Sequence, residues 1–252
     1  MALPSIENTL VVIPARMAST RLPGKPLADI CGEPMIVHVL RRAQAAAVGR
    51  VIVACAEPEI RDTVIAAGGE AILTDPALAS GSDRVHAAVA AIDPEESHQI
   101  VVNLQGDLPA VDPEDLRAAL LPLQTPGVDI ATLVAPTRSR EEESSESVVK
   151  AIANFLPGAR TARAIDFVRT LPSGAKGPHY HHIGIYAFRR GALDRFVSLP
   201  VSRLEADRRL EQMRALEAGM RIDVALVDSA PFGVDTPADL ERARRMAAAL
   251  RG

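Results

Sequence analysis

Three short, largely apolar runs constrain this fold more than any other feature: LVVI at 10–13, VIVAC at 51–55 and IVVNL, with a single Asn, at 100–104. Runs of four or five apolar residues without alternation are the pattern of strands buried on both faces of a parallel sheet. Segments of helical period lie between them. Residues 34–47 carry Met35, Val39 and Ala43 at helical spacing, 59–67 closes on Gly68 and Gly69 as a C-cap, and 82–91 reads as a third helix. A further short strand is expected at 71–74. Strand and helix in alternation predict an α/β fold, a doubly wound and mostly parallel sheet.

Beyond a strand at 129–134 the composition changes. RSREEESSES at 138–147 is polar and charged, and reads as a solvated loop at the edge of a first unit. Strands are expected at 148–152, 181–188 and 221–227, and a closing helix at 237–250. One amphipathic helix is expected over 204–217, with Leu204, Leu210, Met213 and Leu216 on its apolar side. The expected division is 1–147, a smaller lobe at 148–217, and 218–252 returning to the main part.

Composition closes off several classes of function. A net charge of −4 leaves no basic excess to neutralise a nucleic-acid backbone, although one small anion can still find a local cluster of cations. Aromatics at 3%, with no Trp, argue against base-stacking platforms. Cys31 and Cys55 lack C-x-x-C spacing and read as reduced thiols near a core. The first sixteen residues have no charged segment followed by a long apolar run, and no stretch approaches the roughly 18 to 20 apolar residues of a membrane span. A cytoplasmic protein with no membrane partner is expected.

In open α/β sheets ligands bind beyond the carboxyl ends of the strands. The first such loop, PARMASTRLPGK at 14–25, places Arg16, Arg21 and Lys25 close together with Gly24 allowing close approach, an arrangement suited to a polyphosphate. It is neither a Walker A motif nor G-x-G-x-x-G. NLQGD at 103–107 follows the third apolar run, so Asp107 is expected at the same sheet edge, where a carboxylate can help hold Mg²⁺. An ordinary Gly-Asp turn is the plainer alternative. In GVDTPADL at 233–240, Thr236 before Pro237 supplies the N-cap, which leaves Asp235 without a capping duty. In PHYHHIGIYAF at 178–188, alternation sends His182, Gly184 and Tyr186 to one face and Ile183, Ile185 and Ala187 to the other. The three histidines lack zinc-site spacing, whereas His182 and Tyr186 make a polar face able to bind a polyhydroxylated sugar.

PARMASTRLPGKPL, VNLQGD, HIGIY, LEQMRALE and GVDTPADLERAR together resemble the 3-deoxy-manno-octulosonate (KDO) cytidylyltransferases, over nearly the whole chain from Leu10 to Arg244. The resemblance implies a nucleotide-diphospho-sugar transferase-like fold whose main part binds CTP. The lobe at 148–217 would bind the acidic sugar and form a homodimer. It assigns the triphosphate to Arg16, Arg21 and Lys25, with Ser19 nearby, and places Asp107 and Asp235 together on the catalytic Mg²⁺. Ser80 to Arg84 would lie near the cytidine, and Gln105 near both nucleotide and sugar. His182, Tyr186, Glu211 and Gln212 would face the sugar, and Arg169 would pair with its carboxylate.

The implied reaction is in-line attack of the sugar's anomeric hydroxyl on the α-phosphorus of CTP, with release of pyrophosphate. Departures from the family pattern fall on the base and sugar sides: Leu78 and Ala79 before Ser80, Cys55 to Glu57, Asp166 to Arg169, Arg208, and Ser145 to Ser147. CMP transfer to a related acid (an amino-KDO or a nonulosonic acid), UTP- or dTTP-dependent transfer to a sugar phosphate, and a non-catalytic nucleotide-binding paralogue remain alternatives.

Overall fold

The computed structural model describes residues 8–171 and 179–249. The start of the N-terminal stretch read for a leader, Pro178, and Leu250 of the expected closing helix lie outside them. Among the described residues the strands and α-helices are, in order, β1 (Thr9–Ala15), β2 (Asp29–Ile30), β3 (Glu33–Pro34), α1 (Met35–Ala46), β4 (Arg50–Cys55), α2 (Pro58–Ala66), β5 (Glu70–Leu73), α3 (Gly81–Ile92), β6 (Ile100–Asn103), α4 (Pro113–Ala119), β7 (Ile130–Pro136), α5 (Arg140–Ser144), β8 (Lys150–Ala153), β9 (Thr161–Val168), β10 (His179–Arg189), α6 (Arg190–Ser198), α7 (Arg203–Arg208), α8 (Met213–Glu217), β11 (Ile222–Leu226) and α9 (Pro237–Ala249). They fall into two compact units. One holds the chain up to Leu116 together with the chain from Pro231, and the other runs from Arg117 to Ala230.

In the first unit the strands lie in the order β5-β4-β1-β6, and every neighbouring pair is parallel. Leu10, Val11, Val12 and Ile13 of β1 have no solvent exposure, as a strand covered on both faces requires. Helix α2 ends as Gly68 and Gly69 suggest, their N–H groups donating to Ile65 O and Val64 O. The small β2–β3 hairpin, which the apolar pattern does not predict, anchors α9. Ile30, Met35, Val234, Leu240 and Ala243 form one buried cluster, and Arg244 Nε donates to Asp29 O. That packing returns Asp235 to the parallel sheet.

The second unit has strand order β10-β7-β11-β9-β8. Its pairs are antiparallel except β7 with β11, and β8 also pairs with the start of β10, so the five strands run round to meet. Three expectations need correction here. The boundaries set at 147 and 217 fall at Leu116/Arg117 and Ala230/Pro231, because β7 and β11 pair with each other and with β10 and β9 and so belong with them. The segment at 138–147 is not a plain solvated loop. Ser139 caps α5, and Glu142 and Glu143 pair with His181 and His179. The single helix over 204–217 is two short ones, since Arg209 adopts a left-handed backbone (φ 54°) that ends α7. Strand β9 and helices α4 and α6 lie where no element was expected.

Candidate active site

The loop after β1 is shaped by its own backbone. Gly24 takes φ 70° and accepts Leu27 N–H at its carbonyl, closing a 3₁₀ turn that starts at Lys25. Met17 N–H donates to Glu57 Oε2 at 3.0 Å, and Ser19 Oγ accepts from Leu22 N–H at 3.3 Å, so the Ser19 hydroxyl serves the loop itself. The β6 turn comes in closely: a Cβ on Gly106 would lie 2.9 Å from Pro14 O. Only glycine permits that approach, and it sets Asp107 beside the first loop.

Asp107 and Asp235, which the resemblance places together on Mg²⁺, both contact the Lys25 ammonium in this structure. Lys25 Nζ lies 2.7 Å from Asp107 Oδ2, 3.0 Å from Asp235 Oδ1 and 3.1 Å from Val234 O. Arg21 adds a second contact to Asp235 Oδ1 at 3.1 Å, and Val234 N–H donates to Asp107 O at 3.0 Å. Burial works against the Lys25 charge, but the Asp107 carboxylate, with Asp235 adding to it, outweighs that loss and holds the amine above the ordinary lysine range. These groups line a cleft of about 360 Å³ that also takes in Arg16, Ser19, Ser80, Arg84 and Gln105. Four cations face two carboxylates in it, so an acidic protein carries a local basic site. Arg16 is exposed and makes no hydrogen bond or ion pair within the described residues.

At the cleft's other side Ser80 caps α3 in a reciprocal box with Asp83. Arg84 is buried. Its Nη1 donates to Thr74 Oγ1 at 2.5 Å and to Asp75 O at 3.2 Å, whereas its Nη2 is buried with no partner. Burial pushes the Arg84 pKa down. A buried guanidinium N–H without an acceptor costs roughly 1–3 kcal/mol, a cost that a bound acceptor group relieves. Gln105 donates to Asn103 Oδ1 at 3.3 Å.

The sugar-side candidates lie in the second unit. His182 and Tyr186 have ring centroids 5.6 Å apart, and Phe167 stands edge-on to His182 at 4.9 Å. Strict alternation does not bring them together, because β10 is bulged between Ile183 and Tyr186. Burial, then the neighbouring His181, pushes the His182 pKa down to about 3; burial, then Glu211, pushes Tyr186 up. Gln212 is buried, and its Nε2 has no partner. Arg169, which the resemblance pairs with the sugar carboxylate, is engaged with backbone carbonyls in this structure. Nε, Nη1 and Nη2 donate to Arg208 O, Glu146 O and Arg209 O, so its fork holds three carbonyls on two backbone segments. Lys150, with no solvent exposure, donates to Ser145 O and Arg169 O beside it.

Several contributors were not legible as site residues. Glu57, noted only as a departure, sits just past the carboxyl end of parallel strand β4, a position that could have signalled its role. Thr74, directly past the carboxyl end of parallel strand β5, carries the same signal, whereas Phe167 carries none.

Comparison with known proteins fits this geometry. The model of the family described as Cytidylyltransferase matches residues 10–222. A protein of Paramagnetospirillum magneticum named 3-deoxy-manno-octulosonate cytidylyltransferase is 59% identical over 238 residues, covering 94% of this chain and 96% of its own. One of the same name from Parvibaculum lavamentivorans is 62% identical over 237 residues, covering 94% and 92%. A solved structure described as CMP:2-keto-3-deoxy-manno-octonic acid synthetase complexed with CTP superposes with a TM-score of 0.86 at 38% identity, over 96% of this chain and 99% of that one. The match to these relatives spans more than nine-tenths of this chain, and the chain belongs to the cytidylyltransferase family.

Proposed function

We propose that the protein transfers CMP from CTP to the anomeric hydroxyl of KDO, releasing pyrophosphate and activating the sugar for lipopolysaccharide assembly. One observation carries the reading: Asp107 and Asp235, far apart in sequence, meet at a single cation inside a basic cleft. Relatives near 60% identity bear the name of that activity.

The acidic pair fits Mg²⁺. Both donors are hard carboxylate oxygens already gathered about a positive charge, and among the described residues no group of three or more His, Cys, Asp or Glu is placed to hold a metal. Mg²⁺ takes one or two carboxylates and leaves its other positions to phosphate oxygens and water. When bound there it would supply Lewis acidity and charge neutralisation at the nucleotide phosphates.

The chain's own residues do the rest. Arg16, Arg21 and Lys25 hold the triphosphate and neutralise the leaving pyrophosphate as the bond between the α- and β-phosphates breaks. Lys25 exchanges its carboxylate partners for phosphate oxygens, and Arg84 gives its unpaired N–H to the nucleotide. His182, Tyr186, Glu211 and Gln212 orient the sugar acid, so that attack becomes a matter of positioning. A homodimer in the cytoplasm belongs to the same proposal. No described helix is long and apolar enough to cross a membrane, and light scattering tests the dimer.

The test is pyrophosphate release with CTP, Mg²⁺ and KDO, compared with the same mixture lacking only KDO. Release that needs KDO supports the reading; release with an amino-KDO or a nonulosonic acid and not with KDO overturns the choice of sugar. Asp107→Ala should lower kcat by about a hundredfold, roughly 3 kcal/mol in the barrier, with an unchanged circular dichroism spectrum. Normal turnover by that variant would remove Asp107 from the metal site.

A further inference from the structure

The bulge in β10 is held from below by one side chain. Thr132, on β7 and without solvent exposure, has its Oγ1 3.0 Å from Ile183 O, 2.8 Å from Ile185 O and 3.0 Å from His182 Nε2. A hydroxyl has one proton to give and two lone pairs with which to accept. Both carbonyls can only accept, so the Thr132 proton goes to one of them. A bare Nε2 would then put three acceptors around a single proton in a site closed to water. When Nε2 carries a hydrogen and donates it to Thr132 Oγ1, two of the three contacts have a proton, and only one carbonyl is left without the hydroxyl's own.

His182 is neutral in this setting, since burial pushes its pKa down to about 3, and a neutral imidazole carries hydrogen on one nitrogen only. Nδ1 is then a bare acceptor, and it makes no hydrogen bond among the described residues. Phe167 edge-on and Tyr186 alongside limit the ring's freedom to turn.

We propose that Thr132 is a positioning residue that locks His182 in the Nε2–H tautomer, so that Nδ1 accepts a hydrogen bond from a hydroxyl of the sugar acid and disfavours its carboxylate. The ligand half of this inference rests on the functional reading above, whereas the tautomer does not. A bare nitrogen lone pair binds an O–H and repels an anionic oxygen, so the site would select by hydroxyl pattern at this point. A substrate analogue lacking that hydroxyl leaves Nδ1 unpaired and is disfavoured.

Long-range ¹H–¹⁵N correlation spectra of histidine-labelled protein read the tautomer directly. The chain has six histidines, and His182→Gln identifies the signal by its loss. The wild type should show a protonated Nε2 and an unprotonated Nδ1 for His182. Thr132→Val, which keeps the shape and removes the oxygen, should lose the single tautomer and raise the sugar-acid KM about tenfold, the order of one hydrogen bond, with the CTP KM unchanged. Thr132→Ser should keep both tautomer and KM. A wild-type spectrum with hydrogen on Nδ1, or a folded Thr132→Val with unchanged tautomer and KM, overturns the proposal. Should Thr132→Val not fold, the wild-type and Thr132→Ser spectra decide alone. Absence of turnover with every sugar acid would strike the functional reading and leave the tautomer to be judged by its spectrum.

Discussion

Lys25 stands where two carboxylates meet, and its charge is what lets them do so. Without a cation between them, the like charges of Asp107 and Asp235 would repel each other. The ammonium prevents that, and its own pKa is held up in return. By linkage, a raised lysine pKa contributes stability that is complete below about 10.4 and is lost as pH rises through the folded-state value. Lys25→Met should therefore leave the acidic pair looking for another cation. Its Tm should rise with added Mg²⁺ more than the wild type's does; magnesium at about 100 times its dissociation constant gives about 2.7 kcal/mol. A Tm in Lys25→Met that ignores Mg²⁺ would mean the pair does not bind the ion. The cluster of cations after a buried strand was legible in the sequence, whereas the meeting of Asp107 with Asp235 was expected only from the family resemblance. The direct Lys25 contact to both carboxylates was not legible, since it depends on the geometry of segments 82 and 210 positions away.

At the scale of elements, turns aim the chemistry. The β6 turn reaches the first loop only because Gly106 lets the backbone come close to Pro14 O, where a Cβ would stand at 2.9 Å. Gly106→Ala must move one segment or the other by a few tenths of an ångström. Turnover should fall at least about tenfold, from misplacement of Asp107 alone, while thermal unfolding shifts by only a few degrees. Unchanged kcat in the folded variant would show that the approach does not position Asp107. The apolar runs behind these turns were readable, as were α1 to α3. The break between α7 and α8 was not, because it comes from a left-handed Arg209 whose carbonyl Arg169 engages, a contact between segments about forty residues apart.

Across the whole molecule, stability should fall in acid by a route that His182 exposes. Its pKa is about 3 in the folded state against 6.5 as the ordinary value. Between those values the unfolded chain binds the extra proton, so stability is full above about pH 6.5 and drains as pH falls toward the folded-state value. The slope from this group is at most about 1.4 kcal/mol per pH unit. Urea midpoints at about pH 7 and pH 5 should therefore separate more in the wild type than in His182→Asn; equal separations would mean that His182 does not contribute. The sequence by itself determined the parallel α/β core and the kinds of side chain at its carboxyl edge, because burial on two faces and turn chemistry are local properties that apolar runs and Gly, Pro and Asp positions spell out. Tertiary structure alone decided the mixed second unit, the three carbonyls that occupy Arg169, and the Thr132 contact that sets His182, because each depends on which distant backbone groups are left without a partner when the strands pair.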